Sequence, residues 1–165
     1  MMLVGDPTMA EVTLTLLDGV IVRPPLLRWQ LPGDTSLEPD RFGWVADLAG
    51  SGAVFFGHRF VLRIETSSQP VTDAPPSPSR AELALASAII ENLPSILATC
   101  EAKFTEYNAN STAPHHIHDP HIWICREFIE EGSRWAFVVG RDDAPDFGYH
   151  LEFDGLKYLG MSAGD

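Results

Sequence analysis

Residues 79–108 form the one long stretch of this chain in which apolar side chains recur every three or four residues. That spacing is the period of an α-helix and places the apolar side chains along one face. Ser79 followed by Glu82 matches a capping box, in which the hydroxyl accepts the third backbone N–H and the carboxylate reaches back to the first. Pro94 interrupts the stretch, because proline lacks an N–H and crowds the carbonyl one turn earlier. The pattern predicts either one helix kinked at Pro94 or two helices that share a buried face.

The segments before this helix have the composition of short strands and turns. Asp18-Gly19 is a strong hairpin-turn signal, and residues 58–66 alternate apolar and polar side chains as a half-buried antiparallel strand does. In chain order we predict a loose terminus at residues 1–10, a hairpin of residues 11–17 and 20–23, turns throughout residues 31–40 and a strand at residues 41–48. Residues 53–56 and 58–66 follow as a strand pair or as one bent strand, and a Pro- and Ser-rich connector occupies residues 67–78.

The segments after the helix also favour strands. Residues 122–129 are rich in β-branched and aromatic side chains, which favours a strand over a short helix. Residues 135–140 are predicted as a buried strand, and residues 147–153 and 156–161 as a hairpin around Asp154-Gly155. The resulting fold class is α+β, with one or more antiparallel β-sheets and a C-terminal meander packed on one long or kinked α-helix. At 165 residues, a single domain spanning 1–165 is expected.

Composition excludes several classes of function. The formal net charge is −12, which argues against nucleic acid as a ligand, because phosphate contacts need clustered Lys and Arg. No apolar run reaches membrane-spanning length, and the first residues lack the basic start and apolar centre of a signal peptide. The two cysteines, Cys100 and Cys125, lie in apolar surroundings and are expected to be buried rather than disulfide-bonded. We therefore expect a cytoplasmic protein.

A histidine cluster occupies residues 115–121. It contains His115, His116, His118, Asp119 and His121. Imidazole and carboxylate groups are the usual zinc ligands, and two histidines separated by one residue on a strand can hold one ion. If a metal site exists, His116, His118 and His121 are its predicted ligands. The alternative interpretation is a polar loop leading into a strand, in which Asp119-Pro120 starts a turn.

A further ligand for such a site would have to come from elsewhere in the chain. The candidates are His58, His150 and Glu152. No zinc-hydrolase signature such as HExxH or paired CxxC accompanies the cluster.

A second cluster is acidic. Asp142, Asp143 and Asp146 follow a predicted strand, and Glu152 lies nearby in the sequence. The spacing of a calcium loop is missing. The carboxylates are expected either to be a solvated turn or to form a surface that binds a basic partner.

Several motifs point to a family. The chain contains FGW and LRIE early, AKFTEYN at the end of the helix, and RWAFVVG followed by GYHLEFDGLKYLGMSAGD. From Phe42 to Asp165 it resembles bacterial domains of unknown function with a Gly-rich, His-containing terminal hairpin, some of which are immunity-like proteins encoded near toxins. The residues that carry the resemblance are Trp135, Gly148, His150, Phe153, Gly155, Gly164 and Asp165. Met161-Ser162 departs from the bulkier, more apolar pair expected there, and the resemblance assigns no activity to any residue.

These observations favour a non-enzymatic protein-binding module, immunity-like in character, that uses an acidic surface. Its predicted binding residues are Asp142, Asp143, Asp146 and Glu152. No GxSxG elbow or glycine-rich phosphate loop occurs, and neither cysteine has the surroundings of a reactive thiol. The alternative is a metal-dependent hydrolase that uses the histidine cluster, with zinc as its cofactor.

Overall fold

The computed structural model of the chain describes residues 29–129 and 132–164. The predicted loose terminus and the predicted hairpin of residues 11–17 and 20–23 lie outside them. The strands are β1 (Trp29–Leu31), β2 (Thr35–Pro39), β3 (Gly43–Asp47), β4 (Val61–Glu65), β5 (Ile117–Cys125), β6 (Arg134–Arg141), β7 (Gly148–Asp154) and β8 (Lys157–Gly164). The helices are α1 (Arg80–Glu91), α2 (Leu93–Tyr107) and α3 (Arg126–Ile129), and short 3-10 turns occur at Ala49–Ser51 and Ala113–His115.

Within the described ranges, the eight strands form one sheet in chain order from β1 to β8. Neighbouring strands are antiparallel, with the exception of β4 and β5, which are parallel. A parallel pair needs a long crossover connection, and α1 and α2 supply it. The half-buried antiparallel strand predicted at residues 58–66 is β4, and it is antiparallel to its neighbour on one side only. The strand predicted at residues 53–56 is not formed, and Phe55 makes an isolated bridge with His58 instead. The α+β class and the C-terminal meander from β5 to β8 are confirmed.

The predicted helical stretch is two helices rather than one. The Ser79 hydroxyl accepts the Glu82 N–H at 3.1 Å and caps α1, as the sequence indicates. α1 ends at Glu91, and Pro94 lies in the first turn of α2, where a missing N–H has no cost. The two helices are bent by 78° relative to each other.

α1 and α2 both pack on one face of the sheet, and the core lies between the helices and the sheet. Ile64 and Ile122 from the central strands are fully buried, and so is Ile89 from α1. Phe104 of α2 packs edge-on against Phe55 and against Tyr149 of β7, with ring centroids 5.7 and 5.1 Å apart. The outer face of the sheet, opposite these helices, is therefore left to the alternate side chains of the strands.

The sequence predicts turns throughout residues 31–40, but the structure has a turn over only part of this segment. The turn is confined to residues 32–34, where Gly33 and Asp34 have positive φ angles of 71° and 56°. β2 follows and pairs with β1, and it contributes the fully buried Leu37 to the core. β2 forms despite its polar, Pro-containing sequence. It has only a three-residue edge strand as its neighbour on one side, and proline is tolerated near the edge of a sheet.

β5 also differs from the prediction. Asp119-Pro120 is not a turn but a bulge inside the strand, with Asp119 at φ 44° and a register shift between His118 and His121. A bulge tolerates proline because the residue it inserts makes no ladder hydrogen bond. Residues 122–129 are a strand as far as Cys125, and the remaining four residues form α3.

Cys100 and Cys125 are both free and buried, as predicted. Burial raises the pKa of each thiol, and the nearby Glu101 carboxylate adds to the effect at Cys100. Among the described residues, no single helix is long and apolar enough to cross a membrane; α1 and α2 meet that test only when the bent pair is taken together. The cellular compartment stays a prediction.

Candidate functional sites

The structure does not gather the three histidines predicted as metal ligands. His116 follows the 3-10 turn at Ala113–His115, whereas His118 and His121 lie on β5 on either side of the bulge. In the described part of the chain, one group of three metal-binding side chains lies within 4.8 Å, and it consists of His116, Asp142 and Asp143. A zinc site formed by His116, His118 and His121 stays a prediction.

The His116 group is held together by contacts between its own members. His116 Nδ1 donates to Asp142 Oδ1 at 2.8 Å, and the Asp142 N–H donates to the His116 carbonyl at 3.0 Å. Both carboxylate oxygens of Asp143 accept hydrogen bonds from Arg141, at 2.7 and 2.6 Å. This guanidinium lowers the pKa of Asp143. A metal ion at this point would compete with Arg141 for the Asp143 carboxylate, whose charge is already paired.

The predicted acidic binding residues divide between two places. Asp142, Asp143 and Asp146 lie in the loop between β6 and β7, which we call the acidic loop (residues 142–146). Glu152 lies on β7 and is exposed on the outer face, where its carboxylate approaches the Ser162 hydroxyl at 3.5 Å. The structure therefore brings three of the four residues together, and Glu152 belongs to a different surface.

Two exposed aromatic side chains, Phe56 and Tyr107, contact the rings of Phe104 and Tyr149, and Tyr149 in turn contacts Phe147, which directly follows the acidic loop. Phe56 has a positive φ of 45°, which a bulky side chain rarely adopts. Its N–H donates to Glu101 Oε1 of α2 at 3.0 Å, which holds the turn in place. Phe56 is 36% exposed and Tyr107 is 56% exposed. Neither exposed ring is predicted from the sequence, because nothing in the local pattern indicates that these aromatic residues stay outside the core.

The outer face of the sheet contains a recess of about 260 Å³. We call it the outer-face recess. The side chains that give it its chemistry are Asp40, Phe42, Arg63, Glu65, His121, Trp123 and His150. They come from four separate segments, and their convergence follows from the register of the sheet. Arg63 is opposite Trp123 across β4 and β5, while His121 and His150 are both opposite Val138 of β6.

Hydrogen bonds orient the side chains of this recess. Trp123 Nε1 donates to Glu65 Oε2 at 2.9 Å. The indole stacks on the His150 ring with centroids 6.0 Å apart and an angle of 28° between the planes. Arg63 Nη2 lies 3.5 Å from Asp119 Oδ1, and its Nε is buried without a hydrogen-bond partner among the described residues.

His121 has a defined tautomer in this arrangement. Its Nδ1 lies 2.8 Å from the carbonyl oxygen of Asp119, which can only accept, so Nδ1 carries the proton. The lone pair is therefore on Nε2. Burial lowers the pKa of His121, and the positive charge of Arg63 adds to this effect, whereas the contacts with Asp119 oppose it. The ring is neutral at pH 7 and acts as a hydrogen-bond acceptor at Nε2.

The sequence indicates His121 and His150 as ligand candidates but does not assign them to one recess. Asp40, Arg63 and Glu65 are not predicted as site residues. A signal was available in the alternation of residues 58–66, which assigns Arg63 and Glu65 to the polar face of a strand. The strand neighbours across the sheet were needed to show what these side chains meet.

The fold and these sites define an α+β protein with an outward-facing polar sheet surface and an acidic loop. Comparison of the chain with protein-family models, with curated proteins and with solved structures finds no match in any of the three. The resemblance to immunity-like domains therefore stays a prediction.

Proposed function

We propose that this chain is a non-enzymatic, immunity-type binding module that masks a basic protein partner. Its recognition surface comprises Phe56, Tyr107, Asp142, Asp143 and Asp146, and we call it the acidic–aromatic surface. The observation that carries the proposal is the series of ring contacts that connects two exposed aromatic side chains with the residue that follows the acidic loop. Contiguous exposed apolar groups with a polar rim are typical of protein interaction sites.

A continuous series of ring contacts joins the two parts of this surface. The Phe56 ring packs 5.8 Å from Phe104, which packs on Tyr149. Tyr149 contacts Tyr107 at 6.1 Å and Phe147 at 5.2 Å, and Phe147 directly follows the acidic loop. The exposed rings therefore rest on a rigid, buried aromatic layer, which lowers the entropy lost when a partner binds.

The strained backbone at Phe56 supports recognition over stability. A bulky residue at positive φ costs on the order of 1–3 kcal/mol, and such strain is found at functional sites more often than elsewhere. In this chain it keeps a large apolar ring partly in solvent, with one side of the ring packed on Phe104. A ring in this position is well placed to enter a pocket on a partner.

The negative charge of the surface supports a basic partner. The carboxylates of Glu101, Glu106 and the acidic loop outnumber the cations, Lys103 and Arg141, and each cation is paired with a carboxylate. A basic partner would gain a faster association rate and the correct orientation from this field. The net charge of −12 acts in the same direction.

A photo-crosslinking amino acid at position 107 tests the proposal, with the same group at Leu159 as the control. Leu159 is 42% exposed and lies on β8, outside the residues that define this surface. We expect one basic protein to crosslink at position 107 and not at 159. The partner is then purified, and its Kd is measured by calorimetry at two salt concentrations.

The double variant Asp142→Asn, Asp146→Asn should weaken binding at least tenfold and reduce its salt dependence. The variant Glu38→Gln, Asp73→Asn removes the same charge from exposed positions elsewhere and should change the Kd little. Equal losses in the two variants would reduce the effect to net charge. A Kd unchanged in the loop variant, or equal crosslinking at 159, contradicts the proposal.

A further inference from the structure

The outer-face recess is a second candidate site, separate from the acidic–aromatic surface. Neither Phe56 nor Tyr107 lines it, and neither do the carboxylates of the acidic loop. Its volume of about 260 Å³ lies just below the range of about 300–1,000 Å³ typical of small-molecule pockets. It therefore has room for one compact chemical group rather than for a large cofactor.

Hydrogen-bond acceptors dominate the polar lining of the recess. Glu65 uses Oε2 for the Trp123 indole, while among the described residues Oε1 has only the weak contact with the Cys125 thiol at 4.0 Å. Asp40 uses Oδ1 for two backbone N–H groups, at 2.8 Å each, and within the described ranges Oδ2 has no partner. His121 adds the Nε2 lone pair. These groups offer acceptor positions to a ligand that can donate.

Among the described residues, the one lysine or arginine that lines the recess is Arg63, and its charge is already compensated. Asp119 approaches its guanidinium at 3.5 Å from outside the recess. The carboxylates of Asp40 and Glu65 therefore remain in excess. A bound anion would face both carboxylates, whereas a bound cation would face a single paired guanidinium.

Aromatic side chains complete the lining. Phe42 is 40% exposed at the rim, and the Trp123 indole lies across the sheet from Arg63, with His150 stacked on it. The face of an indole ring attracts cations, and aromatic rings combined with carboxylates are the usual surroundings of bound ammonium and guanidinium groups.

We propose that the outer-face recess binds an organic cation, a guanidinium or ammonium group, between the Trp123 indole and the carboxylates of Glu65 and Asp40. The cation can come from free arginine or lysine, or from a basic side chain of a polypeptide. The recess requires the same chemistry in either case. This site does not depend on the function proposed above.

The experiment is a titration of the whole ¹⁵N-labelled chain, followed by NMR at the indole N–H of Trp123. That resonance is identified by its loss in Trp123→Phe. The probes are methylguanidinium, methylammonium and acetate. We expect the two cations to shift the resonance saturably in the millimolar range and acetate not to do so. Free L-arginine and an arginine flanked by acetyl and methylamide groups then separate the two sources. The two compounds share the guanidinium group and differ in their backbone charges, so the recess should bind more tightly the compound whose backbone it accommodates.

Two substitutions should act in opposite directions. Glu65→Gln keeps an acceptor for the Trp123 indole but removes a charge, and it should weaken methylguanidinium binding at least tenfold. Arg63→Gln removes the competing guanidinium and should tighten binding several-fold. Glu152→Gln removes a carboxylate from the same sheet face outside the recess and should change the affinity less than twofold. The four indole resonances report in each variant whether the fold is retained.

Acetate binding that Arg63→Gln abolishes would show an anion site and overturn the proposal. The absence of a saturable shift up to about 50 mM methylguanidinium would also overturn the proposal, because a Kd of about 50 mM is the weakest affinity expected of a specific site. Equal weakening by Glu65→Gln and Glu152→Gln would reduce the effect to the general field of the sheet and would equally refute it.

Discussion

Arg126 Nε donates a hydrogen bond of 2.8 Å to Glu82 Oε1, and this pair joins the first turn of α1 to α3. The Glu82 side chain is only 2% exposed, and its Oε2 has no partner within the described ranges. Arg126 also donates from Nη2 to the Ser77 carbonyl at 2.8 Å, just before the helix begins. The capping-box carboxylate predicted at Glu82 is thus used for a contact between segments 44 residues apart.

We expect Arg126→Ala to destabilise the protein by about 2–4 kcal/mol, because it leaves the Glu82 carboxylate buried and unpaired. The value falls at the low end for a buried pair because Arg126 is itself 33% exposed. Chemical denaturation measures it. The double variant Glu82→Leu, Arg126→Met should recover most of the loss, and Arg134→Ala, at an exposed position, should cost less than about 0.5 kcal/mol. A double variant no more stable than Arg126→Ala would contradict this account.

Gly43 is required where β3 approaches β4. A Cβ at this position would lie 2.0 Å from the carbonyl oxygen of Ile64 and 2.9 Å from the backbone nitrogen of Thr66. Backbone atoms of a central strand cannot move aside cheaply, so Gly43→Ala should cost about 3 kcal/mol or more. Gly50→Ala is the control, since nothing lies within 4 Å of its added Cβ. Thermal unfolding compares the two, and similar melting temperatures would show that the strands separate more easily than their register implies.

His121 should make stability depend on pH. Its pKa is lowered in the folded protein, mainly by burial, from the ordinary value of 6.5. Between the lowered pKa and 6.5 the unfolded chain binds more protons than the folded one, so stability falls as pH falls through this window. The slope from one such group approaches about 1.4 kcal/mol per pH unit.

Denaturation at several pH values between 7 and 5 checks this prediction. His121→Asn should remove a one-proton part of the slope. An unchanged slope in His121→Asn would show that other groups produce the dependence.

Features that depend on residues close together in the chain were predictable from the sequence. The Ser79 cap and the role of Pro94 in α2 were predictable because both act within one helical turn. The alternation of Leu62 and Ile64 with Arg63 and Glu65 likewise identified the two faces of β4. β2 was missed, because its one deeply buried residue, Leu37, is surrounded by polar and turn-forming residues.

The candidate sites were less predictable than the fold. The histidine cluster is contiguous in sequence, yet the bulge at Asp119-Pro120 separates His118 from His121, and His116 pairs with Asp142 instead. The outer-face recess depends on the parallel pairing of β4 with β5, which places Arg63 opposite Trp123. A parallel neighbour is chosen by the crossover path of α1 and α2, and no local pattern in either strand records it.

The sequence by itself determined the helix start at Ser79, the two faces of β4, the final meander and the acidic character, because these depend on contacts within a few residues or on composition. The tertiary structure alone decided which polar side chains meet. Glu65 with Trp123, Glu82 with Arg126 and Phe56 with Glu101 are separated by 58, 44 and 45 residues. Such pairs form only after the chain has folded, since their geometry is set by packing and register rather than by the residues beside them.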